Sequence, residues 1–243
     1  MRFRQADRCA LAAAAMMPSE GNEGARCEIE RLVQGLGSVR NFRIGSTGVV
    51  GFPRGMIQVG AFAFLGIDES VIGSTTAQVL VQGYLLSQLY IRNSFISGGV
   101  DAAVTISENS QAFIVAEDGG STTIRSSSTG VAIGCYEANL TVWARGASSK
   151  IGIGPGEKGV EGDSCVGRIG GFGADAGFLR ITGTTDTAIG LFSGDSLRII
   201  QTFLTGNSGA AVRIKAGSVK IDGSTIVNNG SGLHAEQGAV IFF

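Results

Sequence analysis

The sequence predicts an all-β protein wound as a single-stranded parallel solenoid, and three observations predict it. Glycine supplies 39 of the 243 residues, about twice ordinary usage. After residue 36 the apolar pattern has period two rather than 3.6, in short runs broken by Gly, Ser, Asn or Asp. The last third then repeats itself at a spacing of 22 residues. A chain of this length can bury a sizeable core in one domain. Charged residues make up only 16%, the formal net charge is −1 and the single histidine is His234. With a mean hydropathy of +0.26, the chain is too apolar for a disordered tail. It carries no positive surplus, so no nucleic-acid partner is expected. One histidine also excludes a multi-histidine metal site within the chain.

The elements follow in chain order. Arg2, Arg4 and Arg8 precede an apolar run from Cys9 to Met17, in the manner of a secretory signal. The run is short and mostly alanine, Asp7 lies just before it, and no clear small-x-small site precedes Pro18. A leader or short helix is the expectation there. In residues 26–36, RCEIERLVQGL, Ile29, Leu32, Val33 and Leu36 recur at helical spacing, and Gly35 and Gly37 would end a short helix. The expected division is therefore a leader and capping helix over 1–36 and a solenoid over 37–243. Strand-like pieces follow: VRNFRIG, MIQVGAFAFLG, AQVLVQG, LYIRNSFISGG, AVTISENSQAFIVAEDGG, STTIRS, VAIG, NLTVWARG and FLRITG. The uncharged span from Ser70 to Ile91 is interrupted by Ser, Thr, Gln and Gly, and reads as strands rather than a membrane helix. Residues 147–177 are glycine-dense with little periodicity and read as a lateral loop or an imperfect coil.

The repeat sets the coil. SLRIIQTFLTGN from Ser196 aligns with SVKIDGSTIVNN from Ser218, matching Leu197 with Val219, Ile199 with Ile221, Phe203 with Thr225, Leu204 with Ile226 and Asn207 with Asn229. Val240 to Phe243 echo Val219 to Ile221, and more loosely Leu89 and Ile91 echo Gln111 and Phe113. At about 3.3 Å per extended residue, 22 residues trace roughly 70 Å, enough for three short strands and three corners. A coil of 21–23 residues cannot enclose a core alone, and stacking closes it. Val, Ile, Leu and Phe are expected inside, with Arg213, Lys215, Lys220, Asp222 and Ser224 outside.

SVKIDGSTIVNNGSGLHAEQGAVIF resembles one coil of a right-handed parallel β-helix of the pectin-lyase-like superfamily. The likeness is good over residues 185–243, fair over 77–146 and poor over 37–76 and 147–184. The resemblance implies right-handed coiling and an N-terminal helix capping the core. It also implies a choice of roles, since the superfamily spans polysaccharide lyases, glycoside hydrolases, adhesins, autotransporter passengers and phage tailspikes. The polygalacturonase pattern is met only at Arg213-Ile214-Lys215. No adjacent Asp pair exists, and His234 follows that tripeptide, flanked by Leu233 and Ala235.

Other chemistry is sparse. Cys9, Cys27, Cys135 and Cys165 form no CxxC pair, and the pattern favours buried thiols over one disulfide or a metal site. A hydrolytic pair needs two carboxylates about 5–9.5 Å apart. Of Asp163, Asp175, Asp186, Asp195 and Asp222, only Asp163 and Asp186 stand near one period apart. Asp101, Glu108, Glu117 and Asp118 read as acidic solvated turns rather than a calcium site. Residues 152–159 lack phosphate-loop spacing, and Gly154-Pro155-Gly156 reads as a turn. Asn139-Leu140-Thr141 and Asn229-Gly230-Ser231 are glycosylation sequons. No catalytic, cofactor-binding or metal residue is assigned, and no cofactor is expected.

The leading expectation is a non-catalytic structural or binding solenoid: an adhesin, a passenger, or a tail-fibre or tailspike segment. It would be extracellular, cell-surface or virion-associated, with a polysaccharide or cell-surface ligand. Low charge and the apolar end AVIFF point to a homo-oligomer, possibly a trimer. The alternative is a carbohydrate-active enzyme of the same fold, either polysaccharide lyase or glycoside hydrolase. Its groove would draw on Trp143, Tyr84, Tyr90 and Tyr136, a thin aromatic lining, because most Phe residues are expected inside.

Overall fold

A computed structural model of the chain describes residues 36–40, 43–46 and 57–243, apart from 61, 76, 172–174 and 237. The expected helix over 26–36 lies outside these residues, except that Leu36 opens the first strand, Leu36–Arg40. From there each coil places one strand in each of three sheets in turn. Sheet A has nine strands, and sheets B and C have eight each. Each strand pairs with the one a full coil away, and every named pairing is parallel. This is the parallel β-helix expected, about eight coils long, with no helix among the described residues.

The interior is a set of stacked columns. Sheet B contributes Ile72, Ile96, Ile124, Ile153, Ile181 and Leu204, each at most 1% exposed. Sheet A adds Leu89, Ile91, Ile114, Leu140, Val142 and Ile199, all fully buried. Sheet C adds two neighbouring columns. One is β-branched (Val81, Val104, Ile133, Val160, Ile189, Val212), and the position before it is mostly small (Ala103, Ala132, Gly159, Ala188, Ala211). The small column lets the wall pass close to the opposite sheet. A Cβ on Gly159 would lie 2.5 Å from Ile181 Cγ2 and from the Ala188 carbonyl oxygen.

Polar ladders hold the corners. Asn207 Oδ1 accepts from the Thr184 amide at 3.1 Å and the Thr184 hydroxyl at 2.8 Å. Its Nδ2 donates to Asn229 Oδ1 at 2.8 Å, and Asn229 Nδ2 donates to the Leu204 carbonyl at 2.9 Å. Between sheets A and B, hydroxyls do the same work: the Thr202 amide donates to Ser224 Oγ, as Ser70 does to Ser94. Ser224 therefore serves the corner instead of pointing outward. The Asn229 sequon side chain is likewise committed to the ladder.

Further expectations change or narrow. Cys135 and Cys165 form a disulfide between successive coils rather than remaining thiols, because the register brings their Cα atoms within 5.6 Å. Of the two readings of the glycine-dense stretch, the imperfect coil holds and the lateral loop does not: residues 150–171 build strands 150–153, 156–163 and 166–171, with a register shift between Gly156 and Lys158. The Leu89–Ile91 echo is one residue out of step: Leu89 pairs with Ala112 and Ile91 with Ile114. Finally, no described phenylalanine lies in the core. Phe62, Phe95, Phe113, Phe178, Phe203, Phe242 and Phe243 are all exposed, and Phe64 and Phe192 are half-buried. The inner columns are already filled by branched aliphatics at strand spacing, leaving no width for a ring.

The 22-residue spacing holds for the last two coils, where Ser196 pairs with Ser218 and Ser218 with Val240. Earlier coils are longer. Gln88 pairs with Gln111, 23 on; Gln111 with Asn139, 28 on; and Val166 with Ser196, 30 on. The extra residues sit at corners, so the three-sheet frame is preserved.

Candidate functional site

Parallel register turns alternate residues of each strand into outward rows. On sheet C one such row runs Thr105, Gly134, Glu161, Gly190, Arg213 and His234. A second row, two residues further along, holds Tyr136 paired with Asp163. Phe192 and Lys215 continue it, the Phe192 amide donating to Gly162 and the Lys215 amide to Leu191. Glycine at 190 interrupts a row of large side chains and leaves a hollow of about 170 Å³. A Cβ there would meet only Lys158 Cδ and Thr187 Cγ2, each at 3.9 Å, so the hollow is side-chain-sized space and not a backbone requirement.

The walls are charged and aromatic. Lys158, Asp186, Phe192, Arg213 and Lys215 all line the hollow. Lys158 pairs with Glu161 Oε2, whose other oxygen accepts from the Tyr136 hydroxyl at 2.9 Å. Burial, reinforced by the Glu161 charge, pushes the Tyr136 phenol well above its usual range, so it remains a donor. Arg213 Nη2 pairs with Glu236 at 2.9 Å. Among the described residues Lys215 has no carboxylate partner and Asp186 no cation partner. The Lys215 ammonium instead sits 4.6 Å from the Phe192 ring centre, with Lys158 at 5.2 Å from the same ring. The hollow thus offers a cation without an acid, an acid without a cation, and an aromatic wall between two ammonium groups.

The carboxylates named from the sequence are dispersed. Asp163 is not the coil partner of Asp186, since Glu161 pairs with Gly190 and places Asp163 beside Phe192. Asp163 accepts from the Ser193 hydroxyl. Asp222 binds Arg198, and Asp195 is buried at the corner beside Cys165. Asp175 is exposed near the 166–171 strand. Asp101 and Glu108 flank opposite ends of the strand Ala102–Ser107. Glu117 lies 3.8 Å from Arg92, and Asp118 is an exposed corner residue. No three metal-ligating groups gather among the described residues. Arg213 and Lys215 do share one face, as expected. The register also sets His234 beside Arg213, which linear motif order could not show. The aromatics divide between faces: Tyr90 and Trp143 are outward on sheet A with Phe113, while Tyr136 is on sheet C.

Fold and hollow together define a parallel β-solenoid with a polar lateral pocket. Compared with known proteins, the chain matches no family model, no curated protein and no solved structure.

Proposed function

We propose that the chain is a non-catalytic binding β-solenoid of the right-handed, pectin-lyase-like style, which holds an acidic sugar residue of a surface polysaccharide in the Gly190 hollow. The observation that carries this reading is that Lys215 and Asp186, neither of them ion-paired among the described residues, both line one small hollow. Lys215, supported by Arg213, would take the sugar carboxylate, Asp186 would accept from its hydroxyls, and Phe192 would pack against its ring. Glu161 is engaged by Lys158 and Tyr136 and Glu236 by Arg213, so these acids neutralise cations and do not confront each other across a substrate.

The Cys135–Cys165 bridge supports an oxidising, extracellular or surface setting for an adhesin-, passenger- or tail-fibre-like role. Val71, Phe95, Phe178, Phe203 and Val227 are 37–46% exposed on the outer face of sheet B, and support association of copies through that face. Sedimentation at micromolar concentration reads this directly: an oligomer is expected, and a concentration-independent monomer removes it.

The ligand is tested by titrating galacturonate and galactose into the protein and its Lys215→Ala variant. Galacturonate should bind and galactose should not, and Lys215→Ala should weaken galacturonate about tenfold or more. Equal binding of the two sugars, or no effect of the substitution, overturns the reading. Release of shortened chains from incubated polygalacturonate would instead make the protein an enzyme.

A further inference from the structure

Each coil turns from sheet C into sheet A through one corner, and these corners stack into a ridge on the side of the prism away from sheet B. The Phe62 amide donates to the Leu85 carbonyl, Leu86 to Glu108, Asn109 to Glu137, and Glu137 to Asp163. Phe62, Leu85, Leu86, Glu108 and Glu137 hold φ between 49° and 60°, a conformation that favours Gly or Asn and disfavours bulky side chains. Yet Phe62 is 81% exposed and Leu85 and Leu86 are 47% and 51% exposed, so core packing does not explain them. From its N-terminal end the ridge is apolar for two coils (Phe62, then Leu85 and Leu86). It is acidic for the next three, with Glu108, Glu137 and Asp163 all exposed and without a cation partner among the described residues.

Sheet B repeats this order in the complementary sense. Its strands from Val71–Ser74 to Thr225–Val227 contain no Asp or Glu. Within one coil the chain passes the corner, then sheet A, then sheet B. Phe62 is therefore level with Val71, and Leu85 and Leu86 with Phe95. Glu108 is level with Arg125, Glu137 with Lys150, and Asp163 with Arg180. All three cations are exposed and none has a carboxylate partner among the described residues, although Arg125 lies 5.4 Å over the Phe95 ring. Thr123 and Gly152 leave a dip between them, since a Cβ on Gly152 would meet only Thr123 Oγ1 at 3.8 Å. Phe178 and Phe203 stack on each other at 4.7 Å, level with the small Ser164 and Ser193 of the ridge.

We propose that a second copy of this chain lies beside the first, axes parallel and coils level, with its corner ridge seated along sheet B. This rests on the reading that copies associate through sheet B, and assigns the surface that sheet B meets. Two sheet B faces meeting each other would set Arg125, Lys150 and Arg180 against like charges, at a cost. A neighbour pointing the other way, its acids kept level with the cations, would set Leu85 against Arg180 and Asp163 against Phe95. Parallel and level copies instead match apolar with apolar and acid with cation in five successive coils. Ridge and face differ and lie on opposite sides, so each copy holds two neighbours and assembly grows past a dimer.

The test is sedimentation of the full chain and of two charge-reversed variants. One carries Arg125→Glu and Lys150→Glu on sheet B, the other Glu108→Lys and Glu137→Lys on the ridge. The native chain should form species larger than a dimer as concentration rises, and added salt should move assembly to higher concentration. Each variant alone should need about tenfold more protein to assemble, or still more, because like charges then meet. An equimolar mixture should recover native assembly, since the reversed ridge of one meets the reversed face of the other while their unaltered surfaces still match. A native chain that stays monomeric removes association through sheet B and this inference with it. Assembly that stops at a dimer, ignores salt or survives ridge reversal leaves sheet B as an interface but overturns its pairing with the ridge. So does a mixture that fails to recover although both variants keep the native unfolding midpoint.

Discussion

Asp195 is the residue whose surroundings are least compatible with its charge. It is 2% exposed, and its Oδ1 accepts from the Cys165 amide at 2.7 Å while its buried Oδ2 has no partner. Burial pushes the carboxyl up to about 6, against stabilising backbone donors at Cys165, Phe192 and Ser193, and the Asp163 charge adds to the rise. A carboxyl raised in the folded state is protonated there while the unfolded chain has already released its proton. Its contribution is therefore most favourable at low pH and is lost as pH rises from about 4 through about 6. The difference reaches at most about 3 kcal/mol at neutral pH. Asp195→Asn, neutral at every pH, should abolish this slope and leave neutral-pH stability equal or higher. Thermal unfolding between pH 4 and 7 measures it, and an unaltered slope in the variant would remove Asp195 as its source. Nothing in the sequence distinguishes Asp195 from the other aspartates, because the Cys165 amide that binds it and the Asp163 charge that raises it lie 30 or more positions away.

At the scale of elements, the ladders are what the chain displays most openly. Asn207 and Asn229 stand 22 apart in the sequence and touch in the fold. Leu197 with Val219 and Ile199 with Ile221 are coil partners, as the repeat implied. Asn207→Ala would leave the buried Thr184 amide without its acceptor and cut the link to Asn229. A loss of about 1–3 kcal/mol is expected, seen as a lower denaturant midpoint with an unchanged slope. Stability within error of the original would show that the ladder contributes little.

Where coils lengthen, legibility fails for a physical reason. A strand whose apolar residues run on without a break, such as Ala112–Ala116, looks much the same after a slip of one position, yet that slip exchanges its inner and outer faces. The pattern alone therefore sets Leu89 against Gln111 as readily as against its true partner Ala112. Phenylalanine misleads by the same route. Composition ranks it with core residues, whereas the narrow interior accepts branched aliphatics and leaves the rings outside.

On the scale of the whole molecule, low charge and abundant glycine have one explanation. A thin prism of three sheets devotes about every second strand residue to a continuous apolar core, and its tight corners use glycine in the positive-φ region, as at Gly206 and Gly223. The architecture was readable because it repeats. The hollow was not, because it gathers Lys158, Asp186, Phe192, Arg213 and Lys215 from coils of unequal length. Only Arg213 and Lys215 stand close together in the sequence, two residues apart at the end of the strand Ala210–Ile214.

The central claim is that the Gly190 hollow is where an acidic sugar binds. The most direct measurement is an amide chemical-shift titration with galacturonate, comparing the native chain with Gly190→Leu. Shifts should concentrate at Gly190, Phe192 and Lys215 and vanish in the variant. Shifts confined to other faces, or persisting unchanged when the hollow is filled, would contradict it.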